Sequence, residues 1–246
     1  LEQNPSTNGC SDAEIDHYIQ NINKLQYQGM LSDNISLTAA AYYNYADGYY
    51  TFDVDNYMVR VYDPAWQPTG EIDRYDQRFH YIGGNVAAKF YLDPFEITTG
   101  INASTFNRRH VGSNNLQEEL LWDNTGYKND ISAFVKGSYT CRWLTIGANV
   151  QYRHADFDYR GDMPFERINW DFLNWSGNVR WQFNNRHAIY ASATQTHREP
   201  TRSDMFGGEE NFTTLYTTQA ESVIDYELGY NITLSNFTTN INFTYM

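Results

Sequence analysis

Cationic and aromatic side chains gather in four stretches of this sequence, at 47–76, 108–126, 158–170 and 199–218, which are also rich in Gly, Asn and Asp. Arg108, Arg109, His110, Arg160, Arg198 and Arg202 fall in or beside them. A guanidinium offers a planar fork of N–H donors that matches a carboxylate or a catecholate, so such a set can hold an anionic small molecule. Ion pairs between loops would use the same residues. The stretch 47–76 adds Tyr49, Tyr50, Phe52, Tyr57, Tyr62 and Trp66, enough aromatic surface to grip a flat ligand or to nucleate the loop's own folding. A short hairpin from Tyr49–Phe52 to Tyr57–Tyr62 is expected inside it. The candidate ligand-binding residues are therefore Tyr49, Tyr50, Trp66, Arg108, Arg109, His110, Arg198 and Arg202.

Catalysis finds little support. The six His are scattered without HxH or HExxH spacing, and there is no GxSxG or glycine-rich phosphate loop. Glu209-Glu210 has no visible partner, so no catalytic residue and no metal ligand is assigned. Cys10 and Cys141 are the only cysteines, and nothing resembles CxxC. Thirty acidic against seventeen basic residues give a net charge of −13, which argues against a nucleic-acid partner, since phosphate binding needs clustered Lys and Arg.

The elements that would position these groups are strands. Turn signals and two-residue periodicity predict ten runs, at about 20–30, 34–46, 77–91, 95–107, 127–139, 142–157, 171–183, 187–198, 219–233 and 237–246. In the ninth, Ile224, Tyr226, Leu228, Tyr230 and Ile232 point one way while Glu221, Val223, Asp225 and Glu227 point the other. The seventh repeats this, with Leu173, Trp175, Val179, Trp181 and Phe183 against Asn174, Ser176, Asn178, Arg180 and Gln182. Each strand thus has one dry face and one wet face.

Tight turns at Leu31–Asn34, Leu92–Pro94, Thr140–Arg142, Asn184–Asn185 and Ser235–Asn236 alternate strictly with the four long stretches. All short turns then lie at one rim and all long links at the other, as a transmembrane β-barrel with short periplasmic turns and long outer loops requires. The chain is accordingly read as all-β, part of one antiparallel barrel domain over 1–246, in a bacterial outer membrane. No apolar stretch approaches the roughly 18 residues of a membrane helix. Tyr42, Tyr43, Tyr45, Tyr49 and Tyr50 are expected in the aromatic girdle at headgroup level. Arg180, Glu221, Asp225 and Glu227, with Asp130, Lys128 and Lys136, are expected to face the lumen, where their partners would be one another and water. The cations of the long links could instead meet lipopolysaccharide phosphates.

Seven Asn-x-Ser/Thr sequons, at Asn34, Asn102, Asn174, Asn211, Asn231, Asn236 and Asn242, follow from polar residues spaced along a wet face and are read as incidental. Cys10 and Cys141 fall at opposite rims, too far apart for a disulfide. The chain opens on Leu1 with no leader and stops just after a tenth strand, which reads as a mature product or an excised piece. An unclosed sheet would leave two unpaired edges in hydrocarbon, so either these ten strands close on themselves or, as the long links and the abrupt end favour, the rest of a larger barrel is missing.

His197-Arg-Glu-Pro-Thr-Arg202, Ala220-Glu-Ser-Val-Ile-Asp-Tyr-Glu-Leu-Gly-Tyr-Asn231 and Phe237–Met246 resemble the late barrel strands of TonB-dependent outer-membrane receptors, closest to the siderophore type of Bacteroidota. Tyr27–Tyr43 and Asp47-Gly-Tyr-Tyr50 are similar to a mid-barrel hairpin of the same receptors. The resemblance implies a 22-stranded barrel with an N-terminal plug that imports a scarce ligand, such as an iron-siderophore complex, using energy relayed through TonB. It implies that the lumen-facing Arg180, Glu221, Asp225 and Glu227 meet the plug, and no bound cofactor, the iron chelate being cargo. The TonB box, the plug and a terminal strand ending in an aromatic residue are not found. A passive porin or small closed barrel, and a soluble aromatic-rich carbohydrate-binding β protein, remain as alternatives.

Overall fold

The structure, a computed structural model, describes residues 11–161, 165–207 and 214–246. Ten strands form one sheet in sequence order: β1 (Asp16–Ser32), β2 (Ile35–Asp53), β3 (Ile72–Leu92), β4 (Phe95–Asn114), β5 (Trp122–Thr140), β6 (Leu144–Arg160), β7 (Ile168–Asn184), β8 (His187–Arg198), β9 (Glu221–Leu234) and β10 (Phe237–Tyr245). Every neighbouring pair is antiparallel. The tight turns all lie at one rim and the long links at the other. β1 and β10 flank the sheet and do not pair with each other. Cys141 is a free thiol in the tight turn between β5 and β6. Cys10, the sequon at Asn211 and Glu209-Glu210 lie outside the described residues.

Antiparallel partners share a face, so the register sorts the side chains. Leu228 stands opposite Ala191 and Phe243, and Tyr230 opposite Ile189 and Ile241, on one side of the sheet. Glu227 stands opposite Ser192 and Thr244 on the other side, where it accepts from Tyr190 Oη at 2.8 Å and Asn242 Nδ2 at 3.0 Å. The apolar side continues through Val179, Ile146, Val135, Ile101, Val86 and Leu37. On the polar side the Tyr190 ring lies over Gly229, whose missing Cβ would come within 2.1 Å of it. The glycine is the space the tyrosine occupies.

β2 to β5 run well past the expected ends toward the long-link rim, and the reason is an inversion of phase. In β6 the outward residues change from Val150 and Tyr152 to Asp156, Asp158 and Arg160, while the inward ones change from Asn149 and Gln151 to Ala155, Phe157 and Tyr159. In β7 the change falls at the same height, between outward Leu173 and Asp171, with Phe172 and Trp170 inward. Below that level the outside is dry; above it the outside is wet and the inside dry. About ten residues of β6 separate this level from the tight turn, the length a tilted strand needs to cross hydrocarbon. Hydrogen bonding between strands carries on above the apolar belt although the hydropathy pattern that announced the strands has reversed.

The inversion corrects several expectations. Tyr42 and Tyr50 face inward, with Tyr42 Oη 3.1 Å from Tyr81 Oη, because consecutive strand residues alternate sides. Of the five expected girdle tyrosines, Tyr43 and Tyr45 take outward positions at the top of the belt, and Tyr49 lies higher, stacked on His17 and under Arg74. Residues Tyr49–Phe52 do not begin an internal hairpin. They pair with Asp73–Asp76 of β3, and the chain then turns through α1 (Val54–Tyr57) and a π-helical turn (Met58–Tyr62). Asp53 caps α1 by accepting from the Asn56 backbone N–H at 2.9 Å.

The apolar cluster of the upper interior holds Ala155, Tyr159, Trp170, Phe172, Met205 and Phe206, with Phe165 and Leu215 packed against it. It is the underside of the link from β8 to β9, which folds inward. α2 (Arg202–Phe206) lies in this link, opened by a capping box between Thr201 and Asp204 and closed by Gly207 at φ 65°. Phe206 is fully buried and fastens the link to the wall.

Candidate functional site

Between this strap and the inner faces of β4 to β7 lies a cavity of about 440 Å³. Phe106, Phe157, Tyr159, Trp170 and Met205 supply an apolar lining, and Arg108, His110, Lys128, Arg153, Arg198 and Arg202 supply donors and charge. A mostly apolar hollow with a few converging polar groups is the usual form of a small-molecule site.

Glu199 is the carboxylate in this lining. The bend after β8 turns it inward, where Oε2 accepts from Arg153 Nη1 at 2.8 Å and Oε1 accepts from Arg153 Nη2 at 3.0 Å and from Lys128 Nζ. Arg153 also binds Asp130 at 2.5 Å. Burial would raise the Glu199 carboxyl, but the donors on Arg153 and Lys128 outweigh it and hold it down at about 2. The strap therefore carries its own anion into a pocket of cations. His110, buried and beside Arg108 and Arg202, is pushed down to about 3, first by loss of water and then by the two guanidinium charges, so it stands neutral. Asn124 is 1% exposed; its Oδ1 accepts from Tyr159 Oη at 2.6 Å, and its Nδ2 has no partner among the described residues. That amide is a further donor at the cavity wall.

The expected binding residues separate by face. Arg108, His110, Arg198 and Arg202 come together around the cavity, Arg198 with its Nε donating to Glu221 at 2.6 Å. Arg109 is on the outer face, paired with Asp123 at 2.5 Å, and Arg160 is also outside, over the Tyr127 ring. Tyr49 is outside, as described. Tyr50 is inward but packs at a tilt against Tyr75, which stacks on Trp122, away from the cavity. Trp66 closes its own loop: its Nε1 donates to Asp55 Oδ1 at 2.8 Å, and Asp55 also accepts from the backbone N–H groups of Thr69 and Gly70. Those donors, Thr69 first and then Trp66, bring the Asp55 carboxyl down to about 2. Arg180, Glu221, Asp225 and Glu227 occupy inward positions in β7 and β9. Arg153 and the inward turn of Glu199 escaped the sequence reading. Arg153 shares the phase of Gln151, which marks it as inward, but no signal ties it to a carboxylate 46 positions away. Among the described residues no His, Cys, Asp and Glu group has the geometry of a metal site.

An antiparallel sheet with a lipid-facing apolar belt, all short turns at one rim and a charged hollow beneath the opposite loops is the wall of an outer-membrane β-barrel. The chain belongs to the family described as TonB dependent receptor-like, beta-barrel, whose sequence profile matches residues 2–246. It is a family of bacterial outer-membrane receptors and not of enzymes. Among solved structures, the chain is similar to the copper transporter OprC, with 17% identity and a TM-score of 0.69 over 92% of this chain and 38% of that one. It is similar to the ferric citrate transporter FecA in its unliganded form, at 11% identity and TM-score 0.69 over 93% and 34%. It also matches the ferric yersiniabactin uptake receptor FyuA from Yersinia pestis, at 14% and 0.66 over 95% and 37%. Identities this low establish the fold alone. The chain spans little more than a third of these structures, and no curated protein matches it by sequence.

Proposed function

We propose that this sheet forms the central wall of a receptor that takes up a small anionic metal chelate, an iron-siderophore complex being the favoured class, with import energised through TonB. The observation that carries the reading is the cavity under the strap, where Arg108, Lys128, Arg153 and Arg202 converge on a hollow walled by Trp170 and Tyr159. Cationic forks suit the carboxylates or catecholates of such a chelate, and the aromatic wall suits its flat apolar parts. Three of the similar structures carry printed descriptions of iron-chelate transport or uptake, which supports the class without naming the ligand. The free edges of β1 and β10 would be covered by the remaining barrel strands, and the polar inner face below the cavity by a plug domain through which TonB acts.

The test is growth of a strain lacking the receptor gene, complemented with the intact gene or with Arg108→Gln/Arg153→Gln, on a panel of single ferric chelates. Loss of growth on one chelate with the deletion, and failure of the double variant to restore it while assembling normally, is the expected result. Growth on every chelate regardless of the gene would overturn the reading.

A further inference from the structure

The short-turn rim carries a site that the ligand cavity leaves untouched. On the outer face of β6 to β9, Ala191 makes a dip between Val179 and Leu228, and with Leu144, Trp143 and Trp181 it lines an apolar groove of about 470 Å³. Trp143 and Trp181 close its lower end edge to face, their ring centroids 6.1 Å apart. Above Ala191 the outward positions Ala148, Gly177 and Ala193 are also small, and a Cβ added at Gly177 would meet open space, so the trough continues toward the middle of the belt.

Charge marks the rim directly below. The turns Thr140–Trp143, Asn184–His187 and Leu234–Phe237 hold Arg142 and Arg186 and not one Asp or Glu, in a chain with thirty acidic residues. Neither arginine makes an ion pair among the described residues, whereas Arg74, Arg78 and Arg109 at the opposite rim each have a carboxylate. Gln182 N donates to Trp143 O at 2.7 Å, which sets the Arg142 turn beside the end of β7 and hence one hairpin from Arg186. Two strand spacings, about 10 Å, separate the two hairpins.

We propose that this face is a binding site for one glycerophospholipid of the inner, periplasmic leaflet, its phosphate held at the rim by Arg142 and Arg186 and one acyl chain lying in the trough over Ala191. Tryptophan at the headgroup level and arginine at the rim complement the lipid's two parts, and the trough supplies the shape that a flat barrel wall lacks.

The experiment is native mass spectrometry of the intact receptor, delipidated in detergent and exposed separately to phosphatidylglycerol, phosphatidylethanolamine, diacylglycerol and inorganic phosphate. Wild type should retain one phospholipid and neither diacylglycerol nor free phosphate. Arg142→Gln/Arg186→Gln should weaken retention by about 30-fold, from two rim cations. Ala191→Trp, which fills the trough with a residue the lipid face accepts, should do the same, and heat-shifted mobility on gels reports whether each variant assembles. Arg78→Gln at the opposite rim should change nothing. Equal retention by the rim variants, equal retention of diacylglycerol, or a protein copurifying on this face in place of lipid would overturn the site.

Discussion

Glu199→Gln should tighten the binding of an anionic ligand. In the structure the Glu199 carboxylate spans Arg153 at 2.8 and 3.0 Å and reaches Lys128, so it neutralises the cations a chelate would need. Unit charges about 4 Å apart at an effective dielectric near 20 interact by about 4 kcal/mol. Lys128 is 36% exposed and Arg153 keeps Asp130, so solvent and the second carboxylate take up more than half of that. About 1.4 kcal/mol remains, a tenfold gain in affinity for a ligand that replaces the carboxylate. Trp170 on the cavity wall provides the signal: quenching of tryptophan fluorescence in the purified intact receptor, titrated with ferric tricarboxylate and ferric tris-catecholate complexes. Arg153→Gln is the companion variant and should weaken the same titration by tenfold or more, and both proteins must first show the heat-shifted gel mobility of an assembled barrel. If assembled Glu199→Gln binds no tighter than wild type while Arg153→Gln binds as well as wild type, the cavity is not where the anion sits.

Acid should loosen the strap. Glu199 is held below its ordinary value and His110 below its own, so the stability each contributes is complete above about 4.5 and 6.5 respectively and is lost as pH falls toward about 2 and 3. Limited proteolysis between 199 and 220 should therefore accelerate as pH drops from 6.5 through 4, and an unchanged rate would contradict the assignment. Leu228→Glu should block assembly, since it aims a carboxylate at lipid at a cost of about 2 kcal/mol in the belt, whereas Glu227→Gln keeps an acceptor for Tyr190 and Asn242 and should assemble normally. Equal behaviour of the two variants on gels would reverse the face assignment. Asp55→Ala removes the acceptor shared by Trp66, Thr69 and Gly70, so cleavage within 54–71 should become faster with assembly unaffected.

The strand order and the rim that holds the short turns were legible because both depend on local signals. Alternation in β7 and β9 and a turn every second connection are written in adjacent residues, and the register merely connects them. The site was half legible. Arg108 and Arg109 are neighbours with the same chemistry, and read as loop residues they cannot be told apart. Once β4 extends to Asn114, the two-residue period sends Arg108 inward with Ser104 and Phe106 and Arg109 outward to Asp123. What hid the extension was treating the end of the apolar belt as the end of the strand. Arg153 meeting Glu199 depends on how far the strap folds back, which no local pattern encodes.

The reversal of phase also sets the height of the cavity above the membrane. A strand rises about 3.3 Å per residue and tilts near 40°, so His110, five positions beyond the outward Thr105 at the top of the belt, stands about 13 Å above the hydrocarbon. At that height the wall has water outside and a packed interior of Tyr159, Trp170 and Phe206 inside, the arrangement of a soluble protein built on top of a membrane one. The lower wall keeps polar residues inward, as a wet lumen requires; the upper wall can turn apolar residues inward because the strap covers them. On the proposed function, a chelate arriving from outside would meet cations set in a low-dielectric lining, where charge recognition is strongest, before it met the wet lumen. The same reasoning accounts for Glu199: in that lining its carboxylate offsets the clustered charge of Arg153 and Lys128, the place that the proposed anionic ligand would take.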